Sequence, residues 1–445
     1  MLRRIALSVA LVTALIIALV VPAGASDRGR RRGSESASPP ANLPTYVIDQ
    51  TKLPFEALPG TTTTREWGVL DGAGYLIEVP GNWNGELVMW AHGFAGYGAD
   101  LSVSPPPTRS WLIANGFAWA ASSYDRNGYV VEQGARDTLK LAKLFGDRHG
   151  EPKRRYLTGI SMGGHITGYS IERNRGFYDG ALPACGVLGD HELFDFFQSF
   201  HLVAQAITGV KAAYPAPADY PVTSVPAIVA ALGDPTSPKY QQLAAVTQQL
   251  TGGTRVGFAV GYASWFNFLT TLGAPPPGVA AFPADNRDAV YQLDGDAALS
   301  PAENALNDAV LRARRLDYPT PDGVWSVGRI KGRFDIPVLT MHTVGDLFVP
   351  FSMEQSYARK AEANGSEKWL VQRAIREVGH CSFAEAEWNQ AMGDLVAWVR
   401  GGSKPVGDDM FNGLAAPNYG CKFSNNTGLY AGTAARATFG PCPVS

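Results

Sequence analysis

A serine flanked by glycines two positions to either side is the first feature of this sequence that could do chemistry. The stretch is GISMG, residues 159–163, with Ser161 at its centre. In a chain with 49 glycines this pattern is expected about 0.4 times by chance, so the pentapeptide alone decides nothing. A serine hydroxyl becomes a useful nucleophile only when a base takes its proton and an acid orients that base. A nucleophilic Ser161 therefore requires a histidine and a carboxylate elsewhere in the chain.

His380 and Asp346 fit these two roles best. Of the 7 histidines, only His380 follows a predicted strand near the chain end, where the order serine, acid, histidine places the base. Asp346 directly follows another predicted strand, in VGDLFVP. Asp190, at the end of an earlier predicted strand, is the alternative acid. A buried structural histidine and a helix-capping aspartate are the other interpretations of His380 and Asp346.

Predicted secondary structure places Ser161 at the turn that a nucleophile needs. The run RRYLTGI, residues 154–160, predicts a strand, and the following GGHITGYSIERN predicts a helix. A sharp strand-to-helix turn lifts the serine oxygen out of the sheet and aims the helix N-terminus at developing negative charge. Gly159 and Gly163 remove the side chains that would collide in such a turn. The predicted strand and helix on either side therefore favour a nucleophilic role for Ser161.

Short apolar runs alternate with helical patterns along most of the chain, which is typical of an α/β fold. Residues 73–79 and 85–93 are predicted to be neighbouring strands, and further strands and helices follow in both directions from Ser161. The alternation breaks over residues 191–334, which are too long for a loop and predict an inserted helical cap. The predicted organisation is a core in two parts, 46–190 and 335–404, with the cap between them and a C-terminal tail at 405–445.

The N-terminal residues predict export. Arg3 and Arg4 precede an apolar run at 5–21, and small residues follow Pro22. This order is typical of a signal peptide over residues 1–25, cleaved before Ser26, with an uncleaved membrane anchor as the alternative. Residues 26–45 are charged and rich in serine and proline, which indicates a disordered linker. We therefore expect a secreted protein with no stable membrane anchor after cleavage.

Charge and cysteine content indicate which binding partners and metal sites to expect. A formal net charge of -2 and a pI near 6.4 argue against a nucleic-acid-binding protein. In an oxidising compartment, an even number of cysteines without C-x-x-C or a histidine cluster predicts two disulfides rather than a metal site. These cysteines are Cys185, Cys381, Cys421 and Cys442. We expect neither a metal nor a cofactor, and the sequence gives no oligomeric state.

The segments PGNWNGELVMWAHGF, GISMGG, GDLFVP and GHC resemble secreted actinobacterial-type esterases of the α/β-hydrolase superfamily, over about residues 65–200 and 330–402. The resemblance implies an α/β-hydrolase fold, with a mostly parallel eight-stranded sheet and an inserted helical cap domain. It also implies Ser161 as nucleophile, His380 as base and Asp346 as orienting acid. The oxyanion hole would consist of the backbone N–H groups of Met162 and Phe94.

Cys381, directly after His380, is similar to a feature of tannase and feruloyl-esterase enzymes. There, a disulfide joins the residue after the histidine to the residue before the serine. Ile160 precedes the serine here, so that bridge cannot form. Cys185, at the end of the next predicted strand, is the favoured partner of Cys381. This leaves Cys421 for Cys442, and the other two pairings stay open.

The sequence predicts a secreted serine hydrolase that cleaves carboxylic esters, in a small-molecule or polymer substrate, through an acyl-enzyme. A peptidase or amidase of the same fold is the alternative, and a catalytically silent cell-surface binding protein is a more distant one. The cap segment 260–282 is rich in aromatic and small residues. Its Trp265, Phe266 and Phe268 are candidates for a pocket for hydrophobic or aromatic ester groups, although such residues also build a cap's own core.

Overall fold

The computed structural model of the protein describes residues 44–211, 214, 216–217, 219–271, 283–315, 324–425 and 442. The predicted signal peptide, nearly all of the predicted linker and residues 272–282 of the predicted pocket segment lie outside the described residues. Among the helices that are described, none combines the length and the apolar character needed to cross a membrane.

The strands are β1 (Val47–Ile48), β2 (Thr63–Leu70), β3 (Ala73–Pro80), β4 (Glu86–Ala91), β5 (Asp100–Leu101), β6 (Ala118–Ser122), β7 (Tyr129–Val130), β8 (Arg154–Ile160), β9 (Gly180–Ala184), β10 (Val324–Ser326), β11 (Val338–Thr343) and β12 (Leu370–Ile375). The helices are α1 (Arg109–Ala114), α2 (Val131–His149), α3 (Met162–Arg173), α4 (Glu192–Thr208), α5 (Tyr220–Leu232), α6 (Pro238–Leu250), α7 (Phe258–Thr271), α8 (Pro301–Ala309), α9 (Ser352–Ala363) and α10 (Glu385–Val399).

Eight of the strands form one sheet in the order β12-β11-β9-β8-β4-β6-β3-β2. Only β3 runs against the others, because it pairs antiparallel with both β2 and β6 while the remaining pairs are parallel. Every residue of β4, β6, β9, β11 and β12 is buried, as expected for parallel strands covered by helices on both faces. This is an α/β-hydrolase fold, as predicted.

Three local expectations differ from the structure. The predicted neighbours β3 and β4 are separated by β6, so their connection crosses over instead of forming a hairpin. The strand predicted to run up to Asp190 ends at Ala184, since Cys185 has a positive φ of 42° that breaks the extended backbone. The edge strand β2 was not predicted, because its partly exposed residues give no apolar run.

Helices cover the sheet on both faces. Apolar side chains of α2, α3 and α9 pack on one face and those of α1 and α10 on the other. The five helices α4 to α8 lie in the segment between β9 and β11, the segment predicted to be a cap. Their buried side chains share a cluster with Met162 at the start of α3 and with Leu347 and Val349 after β11. The helical segment therefore packs at the carboxyl ends of the central strands.

The chain after α10 packs along the outer edge of β12. The backbone N–H of Asp408 donates to Gln372 O at 2.8 Å, and its carboxylate accepts from the backbone N–H of Ala374 at 2.9 Å. Met410 and Leu414 are buried in one cluster with apolar residues at the ends of β11 and β12. The tail thus satisfies backbone groups that an edge strand would leave open to another chain, and it supports the loops that follow both strands.

Candidate active site

Ser161 occupies a strained turn between β8 and α3. Its backbone has φ 56° and ψ -122°, a conformation that non-glycine residues adopt mainly where the surrounding structure enforces it. The close packing requires glycine on both sides. A Cβ at Gly163 would lie 2.0 Å from Ala91 O, and one at Gly159 would lie 2.4 Å from Gly163 O. The two glycines therefore set the geometry of the turn, and the serine side chain does not.

Asp346 and His380 are brought together by the ends of neighbouring strands β11 and β12. The Nδ1–H of His380 donates to Asp346 Oδ2 at 2.6 Å. The other oxygen, Oδ1, accepts from the backbone N–H groups of Phe348 at 2.8 Å and Val349 at 3.1 Å. The Asp346 carboxylate is fully buried, and these donors fix its orientation. In the neutral imidazole, a proton on Nδ1 leaves Nε2 as the proton acceptor, which is the tautomer that a general base needs.

A disulfide ties the His380 loop to the sheet beside Ser161. Cys381 is bonded to Cys185, with a Cα–Cα distance of 5.4 Å. Cys185 directly follows Ala184, which is the register partner of Ile160 and accepts a hydrogen bond from the Ser161 backbone N–H at 3.1 Å. The Ser161 turn and the His380 loop are therefore anchored to adjacent strands. The second bridge joins Cys421 to Cys442, so the pairing is the one favoured from the sequence.

The disulfide also bears on metal binding. The donor atoms of Cys185, His380 and Cys381 lie within 4.8 Å of one another, and Cys381 Sγ is 3.4 Å from His380 Nε2. This spacing would suit a metal ion, but a metal-binding cysteine supplies a thiolate. Both sulfurs are bonded to each other, so this cluster acts as a covalent anchor.

Loss of the Cys185–Cys381 bridge is expected to lower kcat more than loss of the tail bridge. We expect the double variant Cys185→Ser/Cys381→Ser to lose about tenfold or more in kcat, because a loosened loop misplaces the base. Turnover should be measured well below the unfolding transition, since this bridge spans 196 residues and opening it also destabilises the fold.

The matched control is Cys421→Ser/Cys442→Ser, which opens a bridge spanning 21 residues. It should leave kcat within about twofold and make the tail more sensitive to proteolysis. Equal kcat values for both double variants would show that the first bridge does not position the base.

Asp190, the alternative acid, is engaged elsewhere. Its Oδ1 accepts from the backbone N–H of His191 at 2.6 Å and its Oδ2 from Lys360 Nζ at 3.0 Å. Burial would raise the pKa of Asp190, but the hydrogen bond from the His191 side chain and the charge of Lys360 outweigh it and hold the pKa well below its usual range. Asp190 is therefore part of a structural ion cluster, while Asp346 is the carboxylate against His380.

The candidate oxyanion hole lies between two backbone segments. Met162 begins α3, so its N–H is among those that no helical carbonyl accepts. On the other side, the loop of Phe94 approaches closely, since a Cβ at Gly93 would lie 3.2 Å from Ser161 Cβ. His92 shapes this loop by stacking on Tyr124 with ring centroids 4.1 Å apart. Burial lowers the pKa of His92, which favours its neutral form.

Helix α7 divides the three predicted pocket residues between two environments. Phe268 lies 4.6 Å from Phe348, measured between ring centroids, and Phe348 lies 4.8 Å from His380. Trp265 is on the same helix face and donates its Nε1–H to Val378 O at 2.7 Å. Phe266 instead packs on Tyr240 at 4.9 Å. Trp265 and Phe268 therefore belong to an aromatic group next to His380, and the half-buried Phe266 packs within the helical segment.

Two residues of this region escaped the sequence analysis. Phe348 follows Asp346 by two positions, and that proximity was the signal that could have identified it. Arg255 precedes α7 and is buried, with 5% of its surface exposed. Its Nε–H donates to Val344 O at 2.8 Å. Burial lowers the pKa of Arg255 to about 9, although the charge of Asp346 opposes this. Arg255 thus places a positive charge behind Asp346.

Comparisons with known proteins give distant matches. Among curated proteins, an o-phthalyl amidase from Xanthobacter agilis is 23% identical over 433 residues, which covers 83% of this chain and 93% of that protein. Feruloyl esterase B from Aspergillus oryzae aligns with a TM-score of 0.46 and 13% identity, over 82% of this chain and 86% of its own. Est1E from Butyrivibrio proteoclasticus aligns with a TM-score of 0.38 and 12% identity, over 76% of this chain and 98% of that protein. No family model matches the chain.

Proposed function

We propose that the protein is a secreted serine hydrolase that cleaves carboxylic esters with hydrophobic or aromatic groups. The observation that carries the proposal is the 2.6 Å hydrogen bond between His380 and Asp346, on a loop that a disulfide anchors beside the strained Ser161. A buried carboxylate, an oriented imidazole and a partly exposed serine in a turn are the parts of an acyl-transfer site. The two disulfides agree with export to an oxidising compartment.

In the proposed reaction, Ser161 Oγ attacks the ester carbonyl carbon while His380 Nε2 takes the hydroxyl proton. The carbonyl oxygen becomes an oxyanion, which the N–H groups of Met162 and Phe94 stabilise. The protonated His380 then gives its proton to the departing alcohol, leaving an acyl-enzyme on Ser161. Asp346 holds Nδ1–H throughout and stabilises the imidazolium without taking its proton.

Water completes the cycle by the same steps. His380 Nε2 removes a proton from a water molecule that attacks the acyl carbon, and the oxyanion again forms against the two N–H groups. Collapse of this intermediate releases the acid and returns the proton to Ser161 Oγ. The chemistry therefore needs only side chains and backbone groups of this chain.

The aromatic group next to His380 supports a hydrophobic substrate. Trp265, Phe268 and Phe348 are partly buried and pack on one another at centroid distances of 4.6 to 6.1 Å. Aromatic side chains at a site favour apolar and aromatic ligands through area burial and ring stacking. A panel of p-nitrophenyl and aryl esters in which acyl and alcohol size vary independently tests this proposal, and uniformly low rates for all esters would contradict it.

Phe268→Ala is expected to lower kcat/KM for an aromatic ester about tenfold relative to a p-nitrophenyl acetate reference. Phe268 contacts Phe348, which lies against His380, so its removal leaves a gap at the base. Phe266→Ala is the matched control, since it deletes the same ring two positions earlier on the side that faces Tyr240. The control should change kcat/KM for the two esters by the same factor. Equal selectivity in the two variants would place the substrate's aromatic group elsewhere.

An amidase is the second candidate, because the similar curated protein from Xanthobacter agilis is described as an o-phthalyl amidase. A serine, histidine and aspartate can cleave esters and amides alike. Paired substrates that share the acyl group, a phthalate monoester and the corresponding phthalyl amide, separate the two activities. We expect the ester to give the higher kcat/KM, and a higher value for the amide would assign the protein as an amidase.

A further inference from the structure

A strongly basic cleft lies beside the C-terminal half of α3. Its volume is about 850 Å³, and seven arginines and one lysine line it together with three carboxylates. The whole chain, by contrast, has a formal net charge of -2. The cleft therefore concentrates positive charge that the rest of the molecule does not share.

Only some of these cations are neutralised. Arg175, Arg287 and Arg315 are paired with aspartates at 2.7 to 3.0 Å. Four others, by contrast, make no ion pair with a carboxylate within the part of the chain that the structure describes. These are Arg314, Arg329, Lys331 and Arg333, all of them exposed. Like charges crowded around one concavity repel each other and destabilise the folded state, unless an anion occupies the space between them.

The loop that carries three of these cations is held in place by its backbone. The Glu172 carboxylate of α3 accepts from the N–H groups of Lys331, Gly332 and Arg333 at 2.7 to 3.2 Å. One residue earlier, the buried Asp190 accepts from the N–H of Ile330 at 3.2 Å. These carboxylates fix the loop, whose Arg329 and Lys331 line the cleft. Arg333 also lines the cleft, and its Nε–H donates to Asn364 Oδ1 at 2.7 Å. A preorganised set of donors binds with a smaller loss of conformational entropy.

We propose that this cleft binds a small ligand that carries several negative charges on phosphate or carboxylate groups. Guanidinium groups match the oxygens of both in bidentate geometry. The volume exceeds what a single inorganic phosphate fills and lies in the range of small-molecule sites, roughly 300–1,000 Å³. Several separated cations around one space select for a ligand whose charges are also separated.

The site is distinct from the proposed active site. Tyr169 and Arg173, which line the cleft, follow Ser161 by eight and twelve positions on α3, or about 12 and 18 Å along the helix axis. Binding in the cleft therefore does not depend on the nucleophile, and it goes beyond the hydrolysis proposed above. Failure of either proposal leaves the other standing.

Calorimetric titration of the full chain with tripolyphosphate tests the proposal, with inorganic phosphate and citrate as comparison ligands. We expect one site per chain for tripolyphosphate, binding at least about tenfold tighter than phosphate and weakening as salt rises. Citrate distinguishes carboxylate from phosphate ligands. If citrate binds about as tightly as tripolyphosphate, the cleft accepts multivalent anions in general. If citrate binds much more weakly, the cleft prefers phosphate groups. Equal, weak binding of tripolyphosphate and phosphate would overturn the proposal.

The variant Arg314→Ala/Arg329→Ala/Lys331→Ala should weaken tripolyphosphate binding at least about tenfold. Lys52→Ala/Lys143→Ala/Lys239→Ala is the matched control, because it removes the same charge from exposed positions outside the cleft. The control should retain the affinity for tripolyphosphate. An equal loss of affinity in both variants would show that net charge, and not the cleft, determines the binding. Hydrolysis of a neutral p-nitrophenyl ester should be unchanged in the cleft variant, and Ser161→Ala should bind tripolyphosphate normally.

Discussion

Ser161→Ala is expected to lower kcat for ester hydrolysis by about 10⁴-fold or more while leaving the thermal transition nearly unchanged. Without the hydroxyl no acyl-enzyme can form, so His380 and the oxyanion donors have no nucleophile to act on. The turn itself survives, because Gly159 and Gly163 allow the close approach of the backbone there. Fluorophosphonate labelling of the native protein and its loss in the variant provide a second measurement.

Ser170→Ala is the matched control for this experiment. Ser170 lies on the same helix α3, is fully buried, and its hydroxyl has no hydrogen-bond partner among the described residues. Its removal should leave both kcat and labelling intact. If Ser161→Ala retained more than a few per cent of the activity, the nucleophile would lie elsewhere. A native protein that neither reacts with fluorophosphonate nor hydrolyses any ester would favour the binding-protein alternative.

Asp346→Asn is expected to lower kcat by about 10⁴-fold with a much smaller effect on KM. The asparagine amide can donate to His380 Nδ1, which favours the tautomer with the proton on Nε2. That tautomer cannot accept the serine proton, so the base is lost although the side chains keep their places. The variant also removes the negative charge that stabilises the imidazolium. Steady-state kinetics between pH 6 and 9, together with the unfolding temperature, measure both effects.

Asp190→Asn separates a catalytic acid from a structural one. Asp190 pairs with His191 and Lys360, so this variant should lower the free energy of unfolding by about 1–3 kcal/mol and change kcat by less than about threefold. The two variants make the same chemical change at the two candidate acids. A large loss of kcat in Asp190→Asn with a small one in Asp346→Asn would exchange their proposed roles.

Local patterns in the sequence sufficed for the α/β class and for the candidate turn at Ser161, whereas the α/β-hydrolase fold was implied by the resemblance to known esterases. A strand, a glycine-flanked serine and a helix in immediate succession specify that turn, because the required glycines and apolar periodicity all lie within about twenty residues. The order of β3, β4 and β6 in the sheet could not be predicted from these local patterns. Strand order depends on which crossover packs best against the whole sheet, and residues 73–91 read alone predict a simple pair.

The sequence by itself therefore determined the chemistry that the chain offers: a serine in a turn, a histidine and an acid at strand ends, and an even number of cysteines. Tertiary structure decided how these groups are arranged. Only packing placed Asp346 rather than Asp190 against His380, and only packing decided that Phe268 rather than Phe266 faces Phe348. The basic cleft joins residues more than 150 positions apart. Local propensity acts over a few residues, whereas burial and charge clustering depend on contacts between distant segments, which exist only once the chain has folded.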